Sequence, residues 1–342
     1  MISLAPRITM TDVAAAAGVA RSTVSKALRN DSRLPASRRQ QIQRIASELG
    51  YRPHPMVSAL MSQIHRQRRN ADPCYLSWID FWPPDPQVRT LSFHRELLAG
   101  AQTRARQLCY QIEVHRVAIN RHSLRRLQEI LRTRKQWGLI IPPVPDACRD
   151  LDLDIQDFAS VTIGTSLRSP VMHRISSDYY LGGQLAFGKA VERGASRVGL
   201  VLSRSVSDRN NGRWLAAFLE RQQSLPVEKR VPPLIVEADE HGCLEYWMRH
   251  YRPDVVLVAE PSIADASRRT AHTDVRAPEM IWLATNARAT AVTGLDHQPR
   301  LLGAAAVDRV VDLIHRNERG TPLIAQTLLL ESRWVENEHV CR

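Results

Sequence analysis

The stretch TMTDVAAAAGVARSTVSKAL, residues 9–28, decides the fold of the N-terminal part of the chain. Thr9 and Asp12 have the spacing of a capping box, and apolar residues then recur on one face of a short helix. Gly18 ends that helix, and a second short helix is predicted from Arg21 to Leu28. Two helices joined by a glycine turn form a helix-turn-helix.

A third helix is predicted over about residues 35–49, and the three helices together supply only about ten small apolar residues for a core. The second helix is expected to turn its polar side chains outward: Arg21, Ser22, Thr23, Ser25 and Lys26. Arginine and lysine donate to guanine edges in the major groove, and hydroxyl groups suit phosphates. An ordinary helical hairpin with a solvated polar face is the alternative interpretation.

The distribution of charge favours the DNA interpretation. The 342-residue chain has a formal net charge of +12, and residues 1–69 alone carry twelve Lys or Arg against three Asp or Glu. A compact basic unit of net charge +9 on a nearly neutral body indicates a polyanionic partner, most often nucleic acid.

The rest of the composition excludes several other classes of protein. The five cysteines are far apart and form no Cys-x-x-Cys pair, which is typical of reduced thiols in a cytoplasmic protein: Cys74, Cys109, Cys148, Cys243 and Cys341. We expect neither a signal peptide nor a membrane span. No P-loop, dinucleotide-binding glycine motif, nucleophile elbow or metal-ligand spacing is present, so we expect neither an enzyme nor a cofactor.

Beyond a proline-containing basic connector at residues 54–73, apolar strand-like runs alternate with helical stretches. Eight strands are predicted, at residues 75–81, 110–117, 138–143, 159–164, 197–202, 234–238, 254–259 and 280–285. Such alternation is typical of parallel sheets with helices on both faces. Eight strands over about 270 residues fit two doubly wound subdomains, whose ligands bind beyond the carboxyl ends of the strands.

At these residues the chain resembles the LacI/GalR family of bacterial transcriptional regulators. The frame D-V-A-x-x-A-G-V-x-x-x-T-V-S-K-x-L, residues 12–28, is followed by a third helix that ends in ELGYRP, residues 48–53. The segments WGLII, residues 137–141, and GAAAVDRVVDLIHR, residues 303–316, fit the family's regulatory domain. The resemblance implies an all-α helix-turn-helix head followed by an α/β region of two doubly wound parallel-sheet subdomains, similar to periplasmic binding proteins.

The domain boundaries follow from the same resemblance. We expect a DNA-binding domain at residues 1–53, a hinge helix and linker at 54–73, and an effector-binding and dimerisation domain at 74–342. Its N-subdomain is expected at about 74–173 and 299–320, and its C-subdomain at about 174–298 and 321–342.

The resemblance also implies roles for individual residues. Arg21, Ser22 and Lys26 would read bases in the major groove, and Leu60 of the hinge helix would enter the minor groove as an apolar wedge. Phosphate contacts would come from Thr9, Thr23, Ser25 and Arg29. The chain departs from the family at Ala20, where a serine usually caps the second helix, and at Pro35, where Ser or Thr usually caps the third.

At three positions of the effector cleft where the family carries acidic residues, this chain differs from the family. Gly164 stands at the first, Glu260 at the second and Asn286 at the third, while Arg209 or Arg213 takes the place of the family's arginine. Trp82 and His94 are near predicted strand or helix ends, where a ring stacks on a sugar or simply fills the core. We expect six residues to bind the ligand: Trp82, His94, Arg209, Arg213, Glu260 and Asn286.

The sequence therefore predicts a cytoplasmic regulator, a repressor, that binds a pseudo-palindromic operator as a homodimer. It is expected to respond to a sugar or sugar derivative, either neutral or anionic. Because the effector positions have changed, an effector-independent DNA-binding regulator with a vestigial cleft remains the alternative.

Overall fold

The computed structural model describes residues 8–28, 31, 34–51, 74–82, 90–118, 120–237, 241–270, 278–285 and 292–336. The predicted hinge helix with Leu60 and the residues Arg29, Asn286 and Cys341 lie outside this part of the chain. Within the described residues, no helix combines the length and the apolar character needed to cross a membrane.

The head consists of three helices: α1 (Met10–Ala17), α2 (Arg21–Leu28) and α3 (Ala36–Glu48). The predicted capping box is confirmed, because Thr9 accepts from the Asp12 N–H and the Asp12 carboxylate accepts from the Thr9 N–H at 2.7 Å. Gly18 follows α1 in the left-handed conformation. The buried core is small, as the sequence predicts: Val13, Ala14, Val24, Ala27, Ile42 and Ala46.

The remaining residues form two six-stranded sheets. The helices are α4 (Thr90–Gln107), α5 (Arg121–Thr133), α6 (Tyr179–Glu192), α7 (Arg204–Arg209), α8 (Arg213–Gln222), α9 (His241–Tyr251), α10 (Pro261–Thr270) and α11 (Pro299–Arg316). The strands are β1 (Cys74–Asp80), β2 (Tyr110–Arg116), β3 (Gly138–Ile141), β4 (Ala159–Ile163), β5 (His173–Ser177), β6 (Val198–Ser203), β7 (Leu234–Val236), β8 (Val255–Val258), β9 (Glu279–Thr285), β10 (Gly294–Asp296), β11 (Thr327–Leu330) and β12 (Arg333–Val335).

The first sheet has the order β11-β5-β4-β3-β1-β2 and is parallel throughout. The second has the order β12-β10-β9-β8-β6-β7, with β12 antiparallel to β10 and the other pairs parallel. Helices cover both faces of each sheet, as is typical of parallel sheets. In the first sheet α4 and α11 cover one face and α5 the other; in the second, α6 and α8 cover one face and α9 and α10 the other.

The predicted fold class is therefore confirmed, but the predicted subdomain boundaries shift. We expected residues from 174 and from 321 onward in the C-subdomain, yet β5 pairs with β4 and β11 pairs with β5. Both strands thus belong to the first sheet. The described residues of the N-subdomain accordingly lie within 74–177 and 299–330, and those of the C-subdomain within 179–296 and 333–336.

Three crossover segments join the subdomains, at Asp178, at residues 297–298 and at residues 331–332. These segments bond to one another. The Asp178 N–H donates to the Leu330 carbonyl at 2.8 Å, and the Gln298 amide donates to the Glu331 carbonyl at 3.0 Å. His297 Nδ1 lies 2.7 Å from the hydroxyl of Ser332. The crossovers therefore form a single connected hinge.

The contact between α4 and α11 requires glycine at position 303. A Cβ there would lie 2.0 Å from the Leu97 carbonyl oxygen, whereas a Cβ at Gly188, within α6, would meet nothing within 4 Å. We expect Gly303→Ala to lower the free energy of unfolding by about 1–3 kcal/mol, because rigid helix backbones must separate. The matched variant Gly188→Ala should raise it by about 0.5–1 kcal/mol through helix propensity. Urea unfolding of both variants measures this, and equal effects would contradict the close packing.

Candidate functional site

The first candidate site is the exposed face of α2. Val24 and Ala27 are buried against α1 and α3, so the opposite side of the helix faces solvent. Arg21, Ser22 and Lys26 are exposed there, and Thr23 and Ser25 are half-buried. The Gln43 side chain donates to the Ala27 carbonyl at 2.8 Å and so fixes the end of α2 on α3. The head thus presents two cations and a hydroxyl group on one short, well-supported helix.

Thr9, expected at a phosphate, is exposed, but its hydroxyl is already used within the capping box. It donates to the Asp12 carboxylate at 2.7 Å, and the hydrogen bonds from Thr9 lower the pKa of Asp12.

At the start of α2, the Thr23 and Val24 N–H groups both donate to the Ala20 carbonyl. Pro35 precedes α3 without a side-chain cap, as its lack of a polar side chain dictates.

The second candidate site is the cleft where the two sheets meet at the carboxyl ends of their strands. Trp82 follows β1, and its indole N–H donates to the Pro143 carbonyl, which follows β3, at 2.7 Å. His94 of α4 lies edge-on to the Trp82 ring, with ring centroids 5.3 Å apart. The Arg209 guanidinium, at the end of α7 in the C-subdomain, lies 5.6 Å from the Trp82 ring centroid. The structure therefore brings together three of the residues expected to bind the ligand.

Helix α7 carries most of these contacts across the cleft. The Thr165 hydroxyl of the N-subdomain donates to the Arg209 carbonyl, and the Ser205 hydroxyl of α7 donates to the Asp146 carboxylate. That carboxylate also lies 3.6 Å from the Arg209 guanidinium. In this structure the two subdomains are thus bridged by polar contacts through one short helix.

The remaining expected ligand residues are distributed differently. Arg213, at the start of α8, lies within electrostatic reach of Arg174 and of the half-buried Tyr179. Glu260 accepts a hydrogen bond from the Ser203 N–H at 2.8 Å, so one carboxylate oxygen serves the backbone. Glu260 also lines a cavity of about 670 Å³ that reaches Asp146 and Arg149 across the cleft.

Sequence reasoning missed four residues of this site: Asp146, Arg149, Arg174 and Tyr179. Asp146 and Arg149 lie between β3 and β4, at a 3-10 turn over Asp146–Cys148 that is too short to be recognised from the sequence pattern. Arg174 lies on β5, a strand that the sequence did not predict. The backbone explains why position 164 carries glycine and not the family's acidic residue. Gly164 adopts φ +76°, and a Cβ there would lie 3.3 Å from the Pro143 ring.

Buried titratable groups in the site and hinge have displaced pKa values. Burial, followed by repulsion from Arg209, lowers the pKa of His94 to about 4. Burial also lowers the pKa of His297 to about 4. Burial raises the pKa of Tyr179, although a hydrogen bond to Ser176 and nearby arginines oppose the shift. At neutral pH the His94 ring therefore adds no charge to the cleft.

Comparison with known proteins finds a family model that matches the head. Residues 9–54 match the model of the bacterial regulatory proteins of the lacI family. No curated protein sequence matches the chain.

Solved structures match between 78% and 97% of the chain. The Lac repressor dimer bound to operator and the anti-inducer ONPF has a TM-score of 0.53 and 19% identity, covering 97% of this chain and 98% of that one. The transcriptional regulator CelR–cellobiose complex has a TM-score of 0.51 and 16% identity, covering 96% and 99%. The transcription regulator CcpA of Lactococcus lactis has a TM-score of 0.53 and 13% identity, covering 78% and 98%. At these identities the likeness concerns the fold.

The lowered pKa of His94 predicts a pH dependence of stability. Because the folded pKa is about 4 and the unfolded value about 6.5, the unfolded chain binds more protons between these pH values. Stability should therefore fall as the pH drops from about 6.5 towards 4. His94→Gln should make this slope shallower by about 1 kcal/mol per pH unit near pH 5.

Urea unfolding at pH 5, 6 and 7 measures that slope. Phe93→Leu is the control, because Phe93 packs beside His94 with ring centroids 6.1 Å apart and carries no proton. It should lower stability equally at each pH. Parallel curves for His94→Gln and the parent would show that His94 titrates alike in both states, contrary to our expectation.

Proposed function

We propose that this chain, a member of the lacI family of bacterial regulatory proteins by its residues 9–54, is a DNA-binding transcriptional repressor controlled by a small metabolite. It binds a pseudo-palindromic operator in the cytoplasm as a homodimer, through α2 of each head. A sugar or sugar derivative binds in the cleft between the subdomains and changes operator affinity.

The observation that carries the DNA-binding part is the face of α2. Arg21 and Lys26 are exposed on a helix whose apolar side is fully used in packing. Cations held on a rigid recognition helix contact guanine edges when the helix lies in the major groove. The strong positive charge of residues 1–69 supplies the nonspecific attraction to phosphates.

The dimer follows from the geometry of operators. One α2 helix reads only a few base pairs, and two heads on a two-fold axis read two half-sites about one helical turn apart. The solved relative bound to operator is described as a dimer. We therefore propose that two copies of this chain pair through their α/β domains.

The proposal that a metabolite controls operator affinity is supported by the hinge and the cleft. Three bonded crossovers permit rotation of the subdomains about one connected axis, and a ligand held by both halves stabilises one orientation. The relative CelR is described in complex with cellobiose. The alternative is a vestigial cleft that binds no ligand. It is disfavoured because the cleft contains buried polar atoms without hydrogen-bond partners among the described residues, and burying such atoms costs free energy unless a ligand binds them.

The DNA-binding part is tested with an operator selected from random duplexes by the parent protein. Lys26→Ala and Arg21→Ala should each weaken operator binding by about 1–3 kcal/mol and relax the preference at particular base pairs. Log K should fall with log salt by about 0.9 for each phosphate neutralised. Fluorescence anisotropy of labelled duplexes measures both effects.

The control is Arg125→Ala, which removes an exposed arginine from α5 and should leave operator binding unchanged. If Lys26→Ala and Arg21→Ala weaken binding equally on operator and random duplexes, these residues contact phosphates and not bases. If no duplex is enriched at all, the proposed function is wrong.

A further inference from the structure

Strand β11 forms one edge of the first sheet, and the surface at this edge is strongly apolar. The strand pairs with β5 on one side only. Leu328 and Leu329 of β11 are 51% and 42% exposed, and Leu323 and Ile324, in the loop before the strand, are 100% and 76% exposed. These four residues are called the β11 patch. Within the described chain, no other stretch of this length exposes as many large apolar side chains.

The β11 edge lacks the features that normally keep a sheet edge from pairing with another chain. Soluble proteins protect such edges with charged side chains, proline or bulges. Strand β2, at the opposite edge of the same sheet, carries Glu113, His115 and Arg116. By contrast, residues 320–330 include no charged residue, in a chain of which 24% is charged. Pro322 precedes the strand and therefore leaves the N–H groups of β11 intact.

The backbone of β11 directs the polar groups of two residues at the free edge. Successive residues of a strand bond alternately to the neighbours on its two sides. The Asp178 N–H donates to the Leu330 carbonyl at 2.8 Å, so Leu330, and by alternation Leu328, bond towards β5. Thr327 and Leu329 therefore present their N–H and C=O groups outward, where nothing in the described chain accepts or donates to them.

Two outward-facing residues separated by one make this edge complementary to itself. In an antiparallel arrangement about a two-fold axis, Thr327 of each copy lies opposite Leu329 of the other, and each such pair exchanges both of its backbone hydrogen bonds. Leu328 then lies on the axis and faces its counterpart. The uncharged β11 patch of one copy covers the same patch of the other, and this contact removes apolar surface from water.

The size of the β11 patch determines what kind of contact it makes. Four large side chains exposed to this extent present on the order of a few hundred Å² per copy, whereas a specific, stable interface buries about 800 Å² per partner. The contact is therefore too small to hold an operator-reading dimer together by itself. It adds a weaker association, which depends on protein concentration.

We propose that β11 pairs with the β11 strand of a second copy of this chain and so joins two protein units into a larger assembly. The pairing itself does not depend on DNA. Its consequence rests on the proposed function: the units joined are then dimers, and one assembly carries four heads that bind two operator sites.

Sedimentation velocity of the full chain without DNA, from low to high micromolar concentration, tests the pairing. The mean mass of the parent should double as the concentration rises, whatever the number of chains in the starting unit. Leu329→Lys should keep the starting mass throughout, because a lysine at the edge opposes strand pairing. Val227→Lys is the matched control, since Val227 is 69% exposed in the C-subdomain, and it should behave like the parent.

A cysteine at position 328 tests the register of the pairing. Opposite residues of a non-hydrogen-bonded antiparallel pair have Cα atoms about 4.5 Å apart, which is within the range of a disulfide. Under a mild oxidant, Leu328→Cys should therefore give more covalently joined pairs of chains than the parent, which controls for the native cysteines. Val227→Cys should give no more than the parent.

A mass of the parent that does not change with concentration, or equal masses for Leu329→Lys and the parent throughout, would overturn the inference. So would cross-linking of Leu328→Cys no greater than that of Val227→Cys. Binding to a single operator is measured in parallel, and Leu329→Lys should match the parent there because its heads are unaltered. If the parent binds no operator, the proposed function is wrong, whereas the dependence of mass on concentration still decides the pairing.

Discussion

The architecture of the α/β domain depends on three short crossovers that hydrogen-bond to one another. Asp178 bonds to Leu330, His297 to Ser332 and Gln298 to Glu331, so the chain passes between the two sheets at one place. This constraint points the carboxyl ends of both sets of parallel strands at the same cleft. Since the half-buried ring of Tyr179 and the buried ring of Trp214 pack against His297, with centroids 5.5 Å and 5.9 Å away, the hinge is also rigidly supported.

Because the hinge fixes where the two subdomains join, the polar contacts across the cleft determine their relative orientation. Helix α7 reaches from β6 across to Asp146, Thr165 and the Trp82 ring. These are polar contacts between partly exposed groups, which are individually weak and therefore suited to an equilibrium between two orientations. A ligand held by both subdomains changes this balance.

The sequence predicted the fold well where the periodicity was strong. The three head helices and eight of the strands lie where it placed them, because Val-rich buried runs and capping signals are local. Four strands were missed: HRISS of β5 is short and polar, TLLL of β11 is largely exposed, and β10 and β12 have only three residues each. Missing β5 and β11 displaced the predicted subdomain boundaries. In the site, Trp82, His94 and Arg209 were identified, but Arg149 and Tyr179 are recognisable only once distant segments are packed together.

The central claim is that the orientation of the subdomains sets the affinity of the heads for operator. It is tested most directly by operator titrations of Asp146→Cys with Ser205→Cys, because these side chains touch across the cleft and a disulfide between them fixes the bridged orientation. The parent under the same oxidant controls for its own cysteines. We expect operator affinity of the oxidised and reduced forms to differ by about fivefold or more, the usual scale of allosteric coupling. Equal affinities, with the disulfide shown to have formed, would contradict the account.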